Sequence, residues 1–313
     1  MRQIILAIAI LTLALTVSAQ HRDENNALNR RQENLLQPAT NYKGIEDPNI
    51  SEAAIDFNDQ GIKKTLTEHN FEAATELFRK AIEADSNCFK CRYNLGTSLI
   101  NCEKYDEAIK VFTNLISLKS DYADAYAGLG EASYKKGLYN KSVTAYQKAA
   151  KIEPNDVIVL SNLGNALYQI KDYEQSLNFF DRAVKLDPNS AFAYSNRGAT
   201  LYAMGRHKEA VKSLQRAVAL QPTLADALNN LGVALTSIGK KKEAHKVHLE
   251  AVRLRPNWSP ALYNLALSYL EIGNRDTARQ QISILENVDS ELAKKARKIF
   301  FRKYLLDVSD VKE

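Results

Sequence analysis

The sequence predicts an all-α fold: a right-handed α-solenoid of about seven tandem helix-turn-helix units, closed by a C-terminal capping helix. Three observations carry this. Gly96, Gly130, Gly164, Gly198 and Gly232 recur every 34 residues, and Ala266 fills the next slot. Pro154, Pro188, Pro222 and Pro256 each follow a glycine by 24 residues. Each period holds two helical stretches joined by a short turn. A fixed period of this length marks stacked two-helix units, none of which can bury its apolar face alone.

The first segment, residues 1–19, reads as an export signal. Arg2 supplies the positive start, and Ile4 to Val17 form an apolar run of 14 residues, short for a bilayer span. Val17-Ser18-Ala19 resembles a small-residue cleavage site, so the mature chain is expected to begin at Gln20 in a periplasmic or extracellular setting. No later segment is apolar enough to cross a membrane. Residues 20–54 are a polar arm rich in Asn, Gln and Arg that leads into the first helix.

Residues 55–288 hold the repeats. Helix A meets helix B at Cys102-Glu103-Lys104, Lys136-Gly137-Leu138, Ile170-Lys171-Asp172, Met204-Gly205-Arg206 and Ile238-Gly239-Lys240. The prolines end each B helix, because proline disfavours helical geometry in the residue before it. A glycine inside a helix costs about 1 kcal/mol against alanine, so its recurrence needs a packing reason. Close approach of helix B supplies one. Helix B carries Ala74, Ala108, Ser142, Ser176, Ala210, Ala244 and Ala278 at one slot, with Phe78, Phe112, Tyr146 and Phe180 four residues later. Residues 289–313 close the array as a capping helix and tail. Leu292, Ala296, Ile299, Phe300 and Tyr304 are expected to cover the last apolar face, leaving Lys294, Lys295, Arg297, Lys298, Arg302 and Lys303 in solvent.

Leu-Gly in helix A, a small residue in helix B, an aromatic four residues on, then Ala and Pro: this pattern resembles the tetratricopeptide repeat. The best copies are Asn162-Leu163-Gly164…Tyr173…Phe180…Ala183…Pro188 and Asn196-Arg197-Gly198…Ala210…Ala217…Pro222. The first copy departs from it: Gly61 is one residue out of register, and Ser86 and Ser120 stand where proline is expected. The last copy lacks both glycine and proline, as terminal units often do. The resemblance implies a binding scaffold for a protein or peptide, without a cofactor.

Asn94, Asn162, Asn196, Asn230 and Asn264 each precede the small slot of helix A by two residues, and Gly128 breaks the row. Asparagine is a poor helix former, so propensity does not explain them. Two residues turn a helix by about 200°, which points these amides away from the glycine contact and toward an exposed face. Flanking positions become apolar from Ile158 onward, with Phe192, Val233 and Leu267. The expectation is a groove with amides on its floor for a peptide backbone and apolar groups for its side chains. It is similar to the asparagine-lined concave face of the repeat region in O-linked N-acetylglucosamine transferases, whose catalytic domain has no counterpart here. The alternative is that the asparagines serve packing only.

Other constellations are weaker. Cys88 and Cys91 form a CxxC at a helix start, which admits a local disulfide or a redox role. Cys102 lies too far along the same helix to pair with Cys91. His245 and His248 lack the four-residue spacing of metal helices, so no metal is expected. No catalytic set converges. The net charge of +5 is modest, and no basic stripe is interleaved with aromatics, so nucleic acid is not an expected partner. Residues alone leave the oligomeric state open. The leading expectation is an exported, non-enzymatic adaptor that grips an extended peptide or partner protein. An assembly subunit using outer surfaces or the basic C-terminal helix comes second, and a redox protein using Cys88 and Cys91 third.

Overall fold

The computed structural model describes residues 50–309, with side chains as far as Lys303. The signal, its cleavage site and most of the polar arm lie outside the described residues, as do the Tyr304 side chain and the last four residues. Among the described residues there are 15 helices and no strand. The fold class is an all-α solenoid. No described helix is long and apolar enough to cross a membrane.

The chain divides into two compact units, one ending at Leu186 and the other beginning at Asp187. The first holds α1 (Glu52–Glu68), α2 (Phe71–Ala84), α3 (Phe89–Asn101), α4 (Tyr105–Leu118), α5 (Ala123–Lys135), α6 (Tyr139–Ile152), α7 (Val157–Gln169) and α8 (Tyr173–Leu186). The second holds α9 (Ala191–Ala203), α10 (His207–Leu220), α11 (Ala225–Ser237), α12 (Lys241–Leu254), α13 (Ser259–Glu271), α14 (Arg275–Val288) and α15 (Ser290–Ser309). Odd-numbered helices up to α13 are the A helices, and within each unit consecutive helices pack on one another.

The turns follow from backbone chemistry. The middle residue of each A–B turn is left-handed: Gly137, Gly205, Gly239 and Gly273 at φ 76–85°, but also His69, Glu103 and Lys171 at 49–64°. The left-handed residue closes helix A. At Gly137 its N–H reaches Tyr134 O, and the next N–H, of Leu138, reaches Ser133 O. Proline is not required to stop helix B. α2 and α4 end in the same slot before Ser86 and Ser120, where Asp85 and Lys119 leave helical geometry unaided.

The packing reason for the mid-helix glycines is now explicit. A Cβ on Gly96 would lie 2.5 Å from the Phe112 ring, one on Gly164 2.8 Å from Phe180, and one on Gly198 2.5 Å from Leu214. Gly61 does the same against Phe78 at 2.6 Å, so the out-of-register glycine keeps its role. Gly128 would put a Cβ 2.4 Å from Phe112, the same ring that Gly96 faces. The small slot of helix B is fully buried throughout, and its serines are satisfied: Ser142 Oγ donates to Gly130 O at 2.8 Å and Ser176 Oγ to Gly164 O at 2.9 Å.

The capping helix α15 buries Leu292, Ala293, Ala296 and Phe300 with Leu262, Tyr263 and Leu270 of α13 and Ala278, Ile282 and Leu285 of α14. Two of its cations are not in free solvent as expected. Arg297 bonds Glu286, and the half-buried Lys303 donates to Leu270 O at 2.9 Å and to Glu271 at 3.3 Å. Both lie where α15 meets its neighbours, so the closing carbonyls and carboxylates claim them. Burial works to raise the Glu271 carboxyl, but Lys241 and Lys303 outweigh it and hold it below the usual carboxylate range.

Candidate functional site: the faces of the A helices

The asparagine row is not the exposed ladder that the helical wheel predicts. Asn94, Asn196, Asn230 and Asn264 are buried, at 6%, 5%, 0% and 6% exposure, and Asn162 is half-buried. The wheel argument considers only the glycine contact with helix B. In a stack, helix A is also covered by the A helices before and after it, and this side of helix A faces them.

Two of the asparagines show the resulting geometry. Asn94 Nδ2 donates to Asn58 Oδ1 across α3 and α1, and Asn264 Nδ2 donates to Asn229 Oδ1 across α13 and α11, both at 2.9 Å. In each pair the acceptor lies three residues before the glycine of the preceding unit, Gly61 or Gly232. The contact between A helices therefore runs at an offset of 35 residues, one more than the repeat, and 36 where α1 is shifted. The same offset joins Gln169 Nε2 to the Tyr134 hydroxyl and the Tyr202 hydroxyl to Ser237 Oγ, both at 3.0 Å. These tyrosines also pack on the first aromatic of helix B, Tyr134 on Tyr139 and Tyr202 on His207.

The flanking apolar positions are partly absorbed by the fold. Val233 is buried, Phe192 is half-buried against Ala191, Ala217, Leu224 and Ala227, and Leu267 is half-buried against the α13–α15 core. Ile158 is half-buried. So Val233 is not the open contact expected of it, while Ile158, Phe192 and Leu267 keep part of their surface.

The second unit contains polar atoms that its own fold does not use. Both amide atoms of Asn230, Nδ2 of Asn229 and Oγ of Ser195 are buried without a hydrogen-bond partner among the described residues. Buried polar atoms are bonded in the great majority of cases, because leaving one bare costs about 1–3 kcal/mol. The offset of 35 relates Asn230 to Ser195 as it relates Asn264 to Asn229, yet no bond joins that pair. One turn earlier in α11, Asp226 is fully buried and meets Arg255 Nη1 at 3.0 Å, and the Arg255 guanidinium lies 4.2 Å from the Trp258 ring centre. Sequence reading missed Asn58, Ser195 and Asn229, since their slot varies from Asn to Ser, Ala and Tyr along the chain and shows no period.

The remaining sequence candidates fall elsewhere. A disulfide joins Cys88 and Cys91, with Cα atoms 5.3 Å apart and both residues buried at the start of α3. Cys88 Sγ also caps the helix by accepting from the Cys91 N–H at 3.2 Å. Burial shields both sulfurs from an attacking thiolate, which argues for a structural bond. Cys102 is the free thiol; burial pushes its ionisation up. His245 bonds Ser268 Oγ at 2.9 Å and packs on Tyr269. His248 fills the slot of Phe180 beneath Gly232, and burial, with a smaller push from His245, lowers its pKa to about 3. No group of three or more metal-type ligands converges among the described residues.

Comparison with known proteins matches this architecture. Family profiles described as tetratricopeptide repeat match residues 155–223, 189–257 and 260–286, and one described as TPR repeat matches 96–137 and 132–171. No curated protein matches the chain in sequence. Among solved structures, YrrB, described as a TPR protein with an unusual peptide-binding site, is 25% identical with a TM-score of 0.50, over 60% of this chain and 97% of its own. A tetratricopeptide repeat protein from Parabacteroides merdae is 14% identical with a TM-score of 0.64, over 80% of this chain and all of its own. Pseudomonas aeruginosa pilF is 16% identical with a TM-score of 0.60, over 68% and 98%. The profile matches together span more than half of the sequence, from residue 96 to 286 with one short gap, and the chain belongs to the tetratricopeptide repeat family.

Proposed function

We propose that this protein is a non-enzymatic adaptor that holds an extended peptide segment of a partner against the A-helix faces of its second unit. The family is one of interaction scaffolds, and the solved relative YrrB is described by its peptide-binding site. The observation that carries the reading is the surface that Phe192 and Leu267 keep on these helices; Asn230, Asn229 and Ser195 are fully enclosed and meet a peptide only where the packing over them opens. A carboxamide offers two donors and two acceptor sites, which suits the alternating N–H and C=O of a strand-like peptide. Asn196 and Asn264 extend the row, and Phe192 and Leu267 offer partial apolar surface for its side chains. In the first unit, Asn162 and Ile158 are half-buried and keep part of their surface, whereas Asn94 is committed to Asn58. Export to the periplasm or beyond, with cleavage near Ala19, belongs to this proposal and rests on the N-terminal sequence alone.

A pull-down with the full chain and with the Asn196→Ala/Asn230→Ala variant tests it. The expected result is at least tenfold weaker capture of the partner at an unchanged fold by circular dichroism. Equal capture by both proteins contradicts the reading and returns the row to packing.

A further inference from the structure

We propose that the outward face of α15 docks on an anionic lipid headgroup layer. The inference is independent of the peptide reading and uses different residues. Over residues 290–303 the chain carries six basic side chains against one acidic, Glu291. One side of α15 is spent on the core through Leu292, Ala293, Ala296 and Phe300. At 100° per residue, Lys294, Lys295, Lys298, Phe301 and Arg302 fall within an arc of about 120° on the opposite side, which Glu291 shares. All five are exposed, and Phe301 is 54% exposed, the most of any large apolar side chain among the described residues.

The charges on this arc are largely uncommitted. Lys294 pairs with Glu291 at 2.7 Å, and no ion pair holds Lys295, Lys298 or Arg302 among the described residues. Exposed lysines without an ion pair among the described residues also occur along the array, as at Lys110, Lys148 and Lys208, so α15 is set apart by clustering: Lys295, Lys298, Arg302 and Phe301 share one face of one helix. The two α15 cations that meet partners in the array, Arg297 and Lys303, lie off the arc. With the apolar face of α15 spent on the core, the outward face is a basic patch: its charges meet anionic headgroups and the single Phe301 ring enters the boundary layer. The single convex helix face provides no groove to clamp an acidic peptide, so a planar charged surface fits it better. Each basic side chain near such a surface contributes roughly fivefold in partitioning.

Vesicle co-sedimentation of the full chain tests this, comparing pure phosphatidylcholine with a 70:30 mixture of phosphatidylcholine and phosphatidylglycerol. Binding that does not depend on lipid charge cancels in the comparison. The expected result is an increment on anionic vesicles that disappears at high salt. K295Q/K298Q/R302Q should lower the increment by about a hundredfold, from roughly fivefold per charge. F301S should weaken binding while leaving its salt dependence intact. These positions are exposed, so melting curves should match the parent. No increment for the parent chain overturns the proposal, as does an undiminished increment in K295Q/K298Q/R302Q. Capture of soluble polyglutamate without vesicle binding overturns it too, and assigns the face to an acidic protein.

Discussion

The two units are built on one lattice but fill it differently. In the first, the slot facing each mid-helix glycine holds Phe78, Phe112, Tyr146 and Phe180. In the second, the same slot holds Leu214, His248 and Ile282. The first unit keeps its buried polar groups mostly in closed pairs, such as Asn94 with Asn58 and Thr75 with Ser98 at 2.9 Å, and Ser133 Oγ is an exception. The second buries Asn229, Asn230, Ser195, His248 and Trp258 with at least one polar atom of each unpaired. Of the unpaired groups only His248 is such a filler; Asn229, Asn230 and Ser195 lie on A helices, so the change of fillers and the unpaired amides are two separate features of the second unit.

The sharpest way to break the contrast is to complete the asparagine row where it is interrupted. Gly128→Asn would drive a Cβ into the Phe112 ring, and overpacking of this kind costs about 1–3 kcal/mol. Urea unfolding should show the loss, and a neutral result would mean that the Phe112 slot is not rigid. The second unit has its own weak point in His248. Its folded pKa of about 3 lies below the unfolded value near 6.5, so the unfolded chain binds the proton first as pH falls. Its contribution is fully present above about pH 6.5 and is lost progressively toward pH 3. Stability should drop by about 2 kcal/mol between pH 8 and pH 5 from this residue. His248→Phe, which restores the filler of the first unit, should remove that component. A pH profile unchanged by the substitution would refute the assignment. The smallest effect concerns the turns. Lys171→Gly should stabilise by about 0.5–1 kcal/mol, because a left-handed backbone strains any side chain. Thermal melting would resolve it, and Gly205→Ala should move the other way.

The stack was legible in the sequence because it rests on contacts that repeat identically. Each glycine admits its helix-B ring, so the period appears directly as Gly96, Gly130 and Gly164. Gly61 was legible as a misfit, but its retained contact with Phe78 was not, since α1 shifts by one residue. The links between A helices stayed hidden for a different reason. They join unlike residues at an offset of 35, as in Tyr134 with Gln169 and Tyr202 with Ser237, and a search for like residues at 34 cannot see them. The row of asparagines was visible, but its burial was not. A helical wheel gives a direction, and what lies in that direction depends on neighbours from other repeats. The disulfide needed only local spacing, so Cys88 and Cys91 could be paired from the sequence as one of two alternatives.

The central claim is that Asn94 is buried to hold the stack while Asn230 is buried with its bonding capacity unspent. The melting temperatures of Asn94→Ala and Asn230→Ala, measured side by side, test it most directly. Asn94→Ala strands the Asn58 carbonyl and should lose about 1–2 kcal/mol, whereas Asn230→Ala removes a bare buried amide and should leave the melting temperature unchanged or raise it. A fall of similar size in both variants would contradict the account.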